Sequence, residues 1–184
     1  MIFNTAERWG AVAKVLHWMM AVLIFAMFIL GWVAKNYSLS PAKLEFFIWH
    51  KSIGLTLLAL VICRLFWRAV NVSPTPPPGE SAVEVGLART GHTVLYALML
   101  LMPVSGYVIN STANFPFRYF GIVRVPNLFP TDKTWQHAAQ TVHLTTFWIF
   151  VLVVVIHVAA AIRHHAIKKN NILSRMLPGA KTPN

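Results

Sequence analysis

Residues 143–162 read HLTTFWIFVLVVVIHVAAAI. No side chain in this run carries a fixed charge, and about 20 such residues are what a helix needs to cross the hydrocarbon core of a bilayer. Two histidines interrupt it, fourteen residues apart. At about 100° per residue that spacing is four turns less about 40°, so His143 and His157 share one face of a helix, about 21 Å apart along its axis. Ionisable side chains within lipid are costly and usually functional. One helix that offers two imidazoles on one face, at two depths, requires partners at the same depths on other helices.

Working outward, three more segments are long and apolar enough to span: 15–34, 46–67 and 93–109, beside 144–162. They predict an all-α fold, an integral membrane four-helix bundle in a single domain covering 1–184. Pro103 predicts a kink in the third and shortest span. Of the 184 residues 57% are hydrophobic and only 11% charged, with mean hydropathy +0.58; a soluble domain carries about 25% charged residues. Cys63 is the single cysteine, which excludes an internal disulfide and a cysteine-ligated cluster. The first span is too long for a signal h-region and has no small-residue cleavage site, so it is expected to stay as a helix.

The connections differ in kind. Residues 72–79 read VSPTPPPG, a stiff extended segment. Residues 110–140 form a long loop rich in aromatic side chains, expected to lid one end of the bundle. Residues 163–184 form a basic tail. The formal net charge of +11 points to lipid headgroups rather than nucleic acid, because the basic residues lie between apolar runs. Ten Lys and Arg, Lys181 among them, fall on the side of the termini and the second-to-third connection; Lys35, Lys43, Lys51, Arg118, Arg124 and Lys133 fall opposite. The positive-inside rule places both termini in the cytoplasm.

Four of the eight histidines lie at or within span ends. His50 matches the depth of His143, and His17 that of His157. Two imidazoles from facing helices can grip a flat macrocycle from both sides and give six-coordinate iron suited to electron transfer. His17/His157 and His50/His143 are therefore the candidate axial ligands of two haem b groups. Gly54, one turn below His50, leaves room for a macrocycle edge. Arg64, fourteen residues from His50, is placed to pair with a propionate of the inner group; it serves equally as a positive-inside anchor, as does Arg68. His92, at the start of the third span, suits a propionate or backbone contact, and His137, in the lid loop, is an alternative ligand. His164 and His165 sit among basic residues and face water or headgroups. The tryptophans at span ends fit an interfacial belt. A histidine-lined metal or proton transporter is a further possibility, weakened because Glu7, Glu45, Glu80, Glu84 and Asp132 all fall outside the spans.

Certain stretches carry a resemblance: Val15-Leu16-His17-Trp18, then Trp49-His50-Lys51-Ser52-Ile53-Gly54, then Arg64-Leu65-Phe66-Trp67-Arg68. Gly91-His92-Thr93-Val94-Leu95-Tyr96 follows, and His143 with residues 157–165 closes the set. In order and spacing the chain resembles the bacterial cytochrome b561 family, the four-helix prokaryotic branch, over essentially its whole length. The resemblance implies a di-haem b protein of the bacterial plasma (inner) membrane that exchanges electrons with quinone, with His17, His50, His143 and His157 as axial ligands. It also implies a quinone-linked oxidoreductase reaction, oxidation of superoxide at the outer face with reduction of ubiquinone. The outer segments carry a net charge of +4, six basic against Glu45 and Asp132, which suits either an arriving anion or lipid headgroups. The other expectation is a non-catalytic electron-transfer subunit whose aromatic lid docks a periplasmic redox partner.

Overall fold

The computed structural model describes residues 1–177; Lys181 and the rest of the tail beyond 177 lie outside the described residues. Four long helices dominate: α1 (Ala11–Asn36), α2 (Pro41–Val70), α3 (Ala82–Thr112) and α4 (Lys133–Ala166). All four are long and apolar enough to cross a membrane. At about 1.5 Å per residue, even the 26 residues of α1 exceed the about 30 Å core. The chain is thus an all-α, multi-pass membrane bundle, as expected. Large apolar side chains such as Phe25, Trp32, Trp148 and Leu152 stand exposed on its flanks, where lipid is the matching solvent.

Three of the helices, α2, α3 and α4, begin beyond their apolar stretches because polar caps start them further out. Ser40 accepts from the Lys43 amide ahead of α2, with Pro41 in the first turn. Ser81 and Glu84 form a reciprocal capping box on α3. Asp132 accepts from the Thr134 and Trp135 amides of α4. Two expectations change as a result. His137 belongs to the first turns of α4 rather than to a loop. His92 lies ten residues inside α3, not at its start. Pro103 sits within α3, which continues past it to Thr112.

The helices pack α1 on α2, α2 on α3 and α3 on α4. At mid-depth Leu95, Leu98 and Phe150 form a buried cluster, joined by Ile24 and Phe28 of α1 and by Met99 and Val153. Phe28 meets Phe147 and Phe150 edge-on, with ring centres 5.6 Å apart in each case.

The aromatic connection is shorter than expected and holds an antiparallel hairpin, β1 (Phe117–Tyr119) and β2 (Val123–Val125). Gly121 takes a φ of 75° at its turn, where a residue without Cβ suffers no clash. The hairpin is fastened to α2: the Phe120 amide donates to Ser52 Oγ at 2.8 Å, and Thr56 Oγ1 and Tyr119 Oη lie 2.8 Å apart. At the opposite, terminal face the first ten residues fold back. Asn4 donates to the Val72 carbonyl, Gly10 donates to Asn4 Oδ1, and Trp18 Nε1 donates to the Met176 carbonyl. Lys168, just past α4, bridges Glu80 at 3.0 Å and Glu84 at 2.7 Å. Its pKa rises above the usual lysine value because of its hydrogen bonds to Glu84 and Glu80.

Candidate functional site: two histidine pairs between the helices

Three helices, α1, α2 and α4, bring four imidazoles together as two pairs. On the hairpin side His50 of α2 faces His143 of α4, with ring centres 6.3 Å apart and ring planes 69° apart. On the terminal side His17 of α1 faces His157 of α4, also at 6.3 Å, with planes 65° apart. The mid-depth cluster of Phe28, Phe147 and Phe150 lies between the two levels, since Phe147 and Phe150 fall between His143 and His157 on α4. The spacing argument for α4 and the depth matching of the other two histidines thus agree with the contacts.

The hairpin-side pair has a built surround. His143 Nδ1 lies 2.9 Å from Ser105 Oγ and 3.1 Å from the Met102 carbonyl oxygen. His50 Nδ1 is buried and has no hydrogen-bond partner among the described residues. Each imidazole rests against a glycine of a neighbouring helix. A Cβ on Gly31 would stand 3.0 Å from His50 Cε1, and one on Gly106 would stand 3.3 Å from His143 Cε1. Sequence reasoning missed Gly31, Gly106 and Ser105. The available signal was depth: Gly31 lies near the end of α1, level with His50, and Ser105-Gly106 lies level with His143. Gly54 is buried, and its missing side chain faces Met27 at ordinary contact distance, 3.7 Å.

Arg64 of α2 donates from Nε to Tyr96 Oη at 3.1 Å and from Nη1 to the Ala13 carbonyl at 3.0 Å, tying α1, α2 and α3 near the terminal-side pair. Arg68 lies over the Tyr96 ring. His92 meets His157 edge-on at 5.5 Å. His137 is exposed and pairs with no histidine ring among the described residues. Lys51, beside His50, donates to Asn110 Oδ1 at 2.7 Å and lies over the Phe115 and Phe117 rings.

The family model described as prokaryotic cytochrome b561 matches residues 8–179. The chain belongs to that family. Among curated relatives, cytochrome b561 homolog 2 of Escherichia coli is 33% identical over 181 residues, covering 95% of this chain and 93% of the relative. A protein named probable superoxide oxidase CybB, from Yersinia pestis, is 27% identical over 89% of this chain and 92% of its own length. Cytochrome b561 homolog 1 of Escherichia coli is 26% identical over 95% and 99%. A cytochrome b561 is a membrane electron-transfer protein that carries haem b.

The ring geometry fits such a group. An imidazole nitrogen ligates a first-row metal at about 2 Å, and the ring centre lies about 1.1 Å behind it. Two rings on opposite sides of one iron therefore have centres about 6.2 Å apart, close to the 6.3 Å of both pairs. The 5.5 Å between His92 and His157 is too short for that arrangement. The donors are also of the right kind, because paired imidazoles leave no open position on the metal.

Proposed function

We propose that this cytochrome b561 holds two haem b groups, one between His50 and His143 and one between His17 and His157, and exchanges electrons with ubiquinone or a similar quinone. The observation that carries the reading is the equal 6.3 Å separation of the two imidazole pairs, which share α4. When bound, the haems supply two one-electron relays at two depths, which suits a quinone that takes up two electrons.

The chain's own residues have distinct parts in this. Phe28, Phe147 and Phe150 exclude water between the two levels. Gly54 would leave room for a macrocycle edge beside His50, and Arg64, whose Nη2 makes no hydrogen bond among the described residues, would pair with a propionate. Lys51 is held by Asn110 on the hairpin side. The excess of Lys and Arg at the opposite face supports the reading that both termini lie in the cytoplasm and the hairpin outside, in a bacterial plasma membrane.

Superoxide is the proposed donor at the outer face. Two superoxide anions each give up one electron and leave as dioxygen; one quinone takes both electrons with two protons and becomes quinol. The name of the Yersinia relative and the net positive outer segments support this choice. A second reading, a non-catalytic electron-transfer subunit for a periplasmic partner, draws on the exposed residues Ile122 and Val123 of the hairpin and Leu128 just after it. Pure protein given superoxide and quinone separates them, since only the first turns over unaided.

The first test is a dithionite-reduced minus oxidised visible spectrum of detergent-purified protein with haem counted per chain. Two b-type haems are expected. One would mean that one pair is misassigned, and none, with ample haem supplied during expression, would overturn the redox reading.

A further inference from the structure

The four ligand candidates are not held alike. Ser105 is 4% exposed. Its Oγ lies 2.9 Å from the Met102 carbonyl oxygen and 2.9 Å from His143 Nδ1, and Met102 O itself lies 3.1 Å from the same nitrogen. A carbonyl oxygen only accepts. Nδ1 therefore carries the ring proton and shares it between Met102 O and Ser105 Oγ, while the hydroxyl proton of Ser105 goes to Met102 O. Nε2 is left as the bare lone pair. Among the described residues, no ring nitrogen of His17, His50 or His157 makes a hydrogen bond to protein; His50 Nδ1 is buried with none.

A partner that accepts from the distal N–H of a ligating imidazole fixes its tautomer and ring orientation and raises the basicity of the ligating nitrogen. Greater basicity favours the oxidised, more positively charged metal. The geometry points to Ser105 as a positioning residue. With the Met102 carbonyl it locks His143 as the Nδ1–H tautomer, strengthens Nε2 as a donor, and holds the haem of the His50/His143 pair at a lower potential than His143 unassisted would give. The neighbouring Gly106 completes the seat, since a Cβ there would crowd His143 Cε1. This inference rests on the reading that His50 and His143 bind a haem. It adds that the two haems of one chain are tuned by unequal surroundings, through a hydroxyl that touches neither iron nor substrate.

The test is a redox titration of purified Ser105→Ala and Ser105→Thr proteins, followed in the b-type absorption bands and by low-temperature electron paramagnetic resonance. In Ser105→Ala one haem is expected to shift toward the reduced form by threefold to tenfold. That is about 28 to 59 mV upward for a one-electron couple. The other haem keeps its potential, and Ser105→Thr, which retains the hydroxyl, returns the shifted one toward the wild-type value. Should Ser105→Ala lose that haem while Ser105→Thr keeps it, the hydroxyl is again the deciding group. Unchanged potentials, equal shifts of both haems, or loss of haem in both variants would overturn the assignment. Failure of the underlying ligand reading is seen separately, as a wild-type protein without two distinguishable b-type haems.

Discussion

Gly31→Ala is the sharpest steric test of the hairpin-side pair. Its Cβ would stand 3.0 Å from His50 Cε1 and 3.4 Å from Nδ1. Non-bonded carbons settle at about 3.5–4.0 Å, so the imidazole must retreat by about half an ångström. Metal sites hold their ligand distances to within about 0.2 Å, and the retreat exceeds that. Perturbing what orients a metal ligand typically lowers affinity about 10- to 100-fold, and a loss in that range is expected for one haem of the two. The fold itself suffers less. Overpacking costs about 1–3 kcal/mol, and the gain from replacing a helical glycine by alanine, up to about 1 kcal/mol, offsets part of it. Gly106→Ala, at 3.3 Å from His143 Cε1, demands only about 0.2 Å and should weaken the same haem by less. The assay is haem per chain in washed, detergent-purified variants, beside their melting temperatures. Gly31→Ala with a full complement and unshifted potentials would refute the claim that His50 is a ligand braced by α1.

The remaining predictions follow from the same contacts. His→Ala at His17 or His157 should remove one haem, and at His50 or His143 the other, each leaving about half the absorbance of the wild type; loss of both from every variant would count against independent pairs. Gly54→Ala meets only Met27 among the described residues, so it should fold at least as stably while lowering haem content, and unchanged haem would remove Gly54 from the site. Lys51→Glu should slow superoxide oxidation most at low salt, where steering is unscreened; an unchanged low-salt rate would sink the steering role. Lys168→Met should lower the melting temperature at neutral pH by releasing Glu80 and Glu84. Because the Lys168 pKa is raised, its contribution is not lost to its own deprotonation below the ordinary lysine value of 10.5 and fades as pH climbs beyond it. The gap between wild type and variant should close there, and also in acid, between pH 4.5 and about 2, as Glu84, whose carboxyl is held down to about 2 chiefly by its hydrogen bond from Lys168, takes up its proton.

Much of this architecture was legible because lipid imposes simple rules. Predominantly apolar runs of about 20 residues marked four helices, and the spacing of His143 and His157 marked a shared face. Hydropathy could not give the helix ends, because backbone hydrogen bonding continues past the apolar window wherever Ser40, Ser81 or Asp132 caps it; His137 and His92 were misplaced for that reason. The glycine seats were hidden differently. Gly31, Gly54 and Gly106 look alike along the chain, and only the rotation of one helix against another decides which of them touches an imidazole. Ser105 was equally anonymous, since a hydroxyl in a membrane helix usually bonds its own backbone, and here it does so while also reaching His143.

α4 supplies one imidazole to each pair, and this gives the helix the properties of a lever. His143 and His157 stand about 21 Å apart along its axis, so a pivot midway lies about 10 Å from each. A tilt of one degree then swings the two rings in opposite senses by about 0.2 Å, as much as a metal bond tolerates. Bilayers of different thickness change the tilt of spanning helices. With a haem held at each pair as proposed, a tilt of α4 against α1 and α2 joins the surrounding membrane mechanically to both levels at once, and lipid composition becomes a variable that any measured pair of potentials has to state.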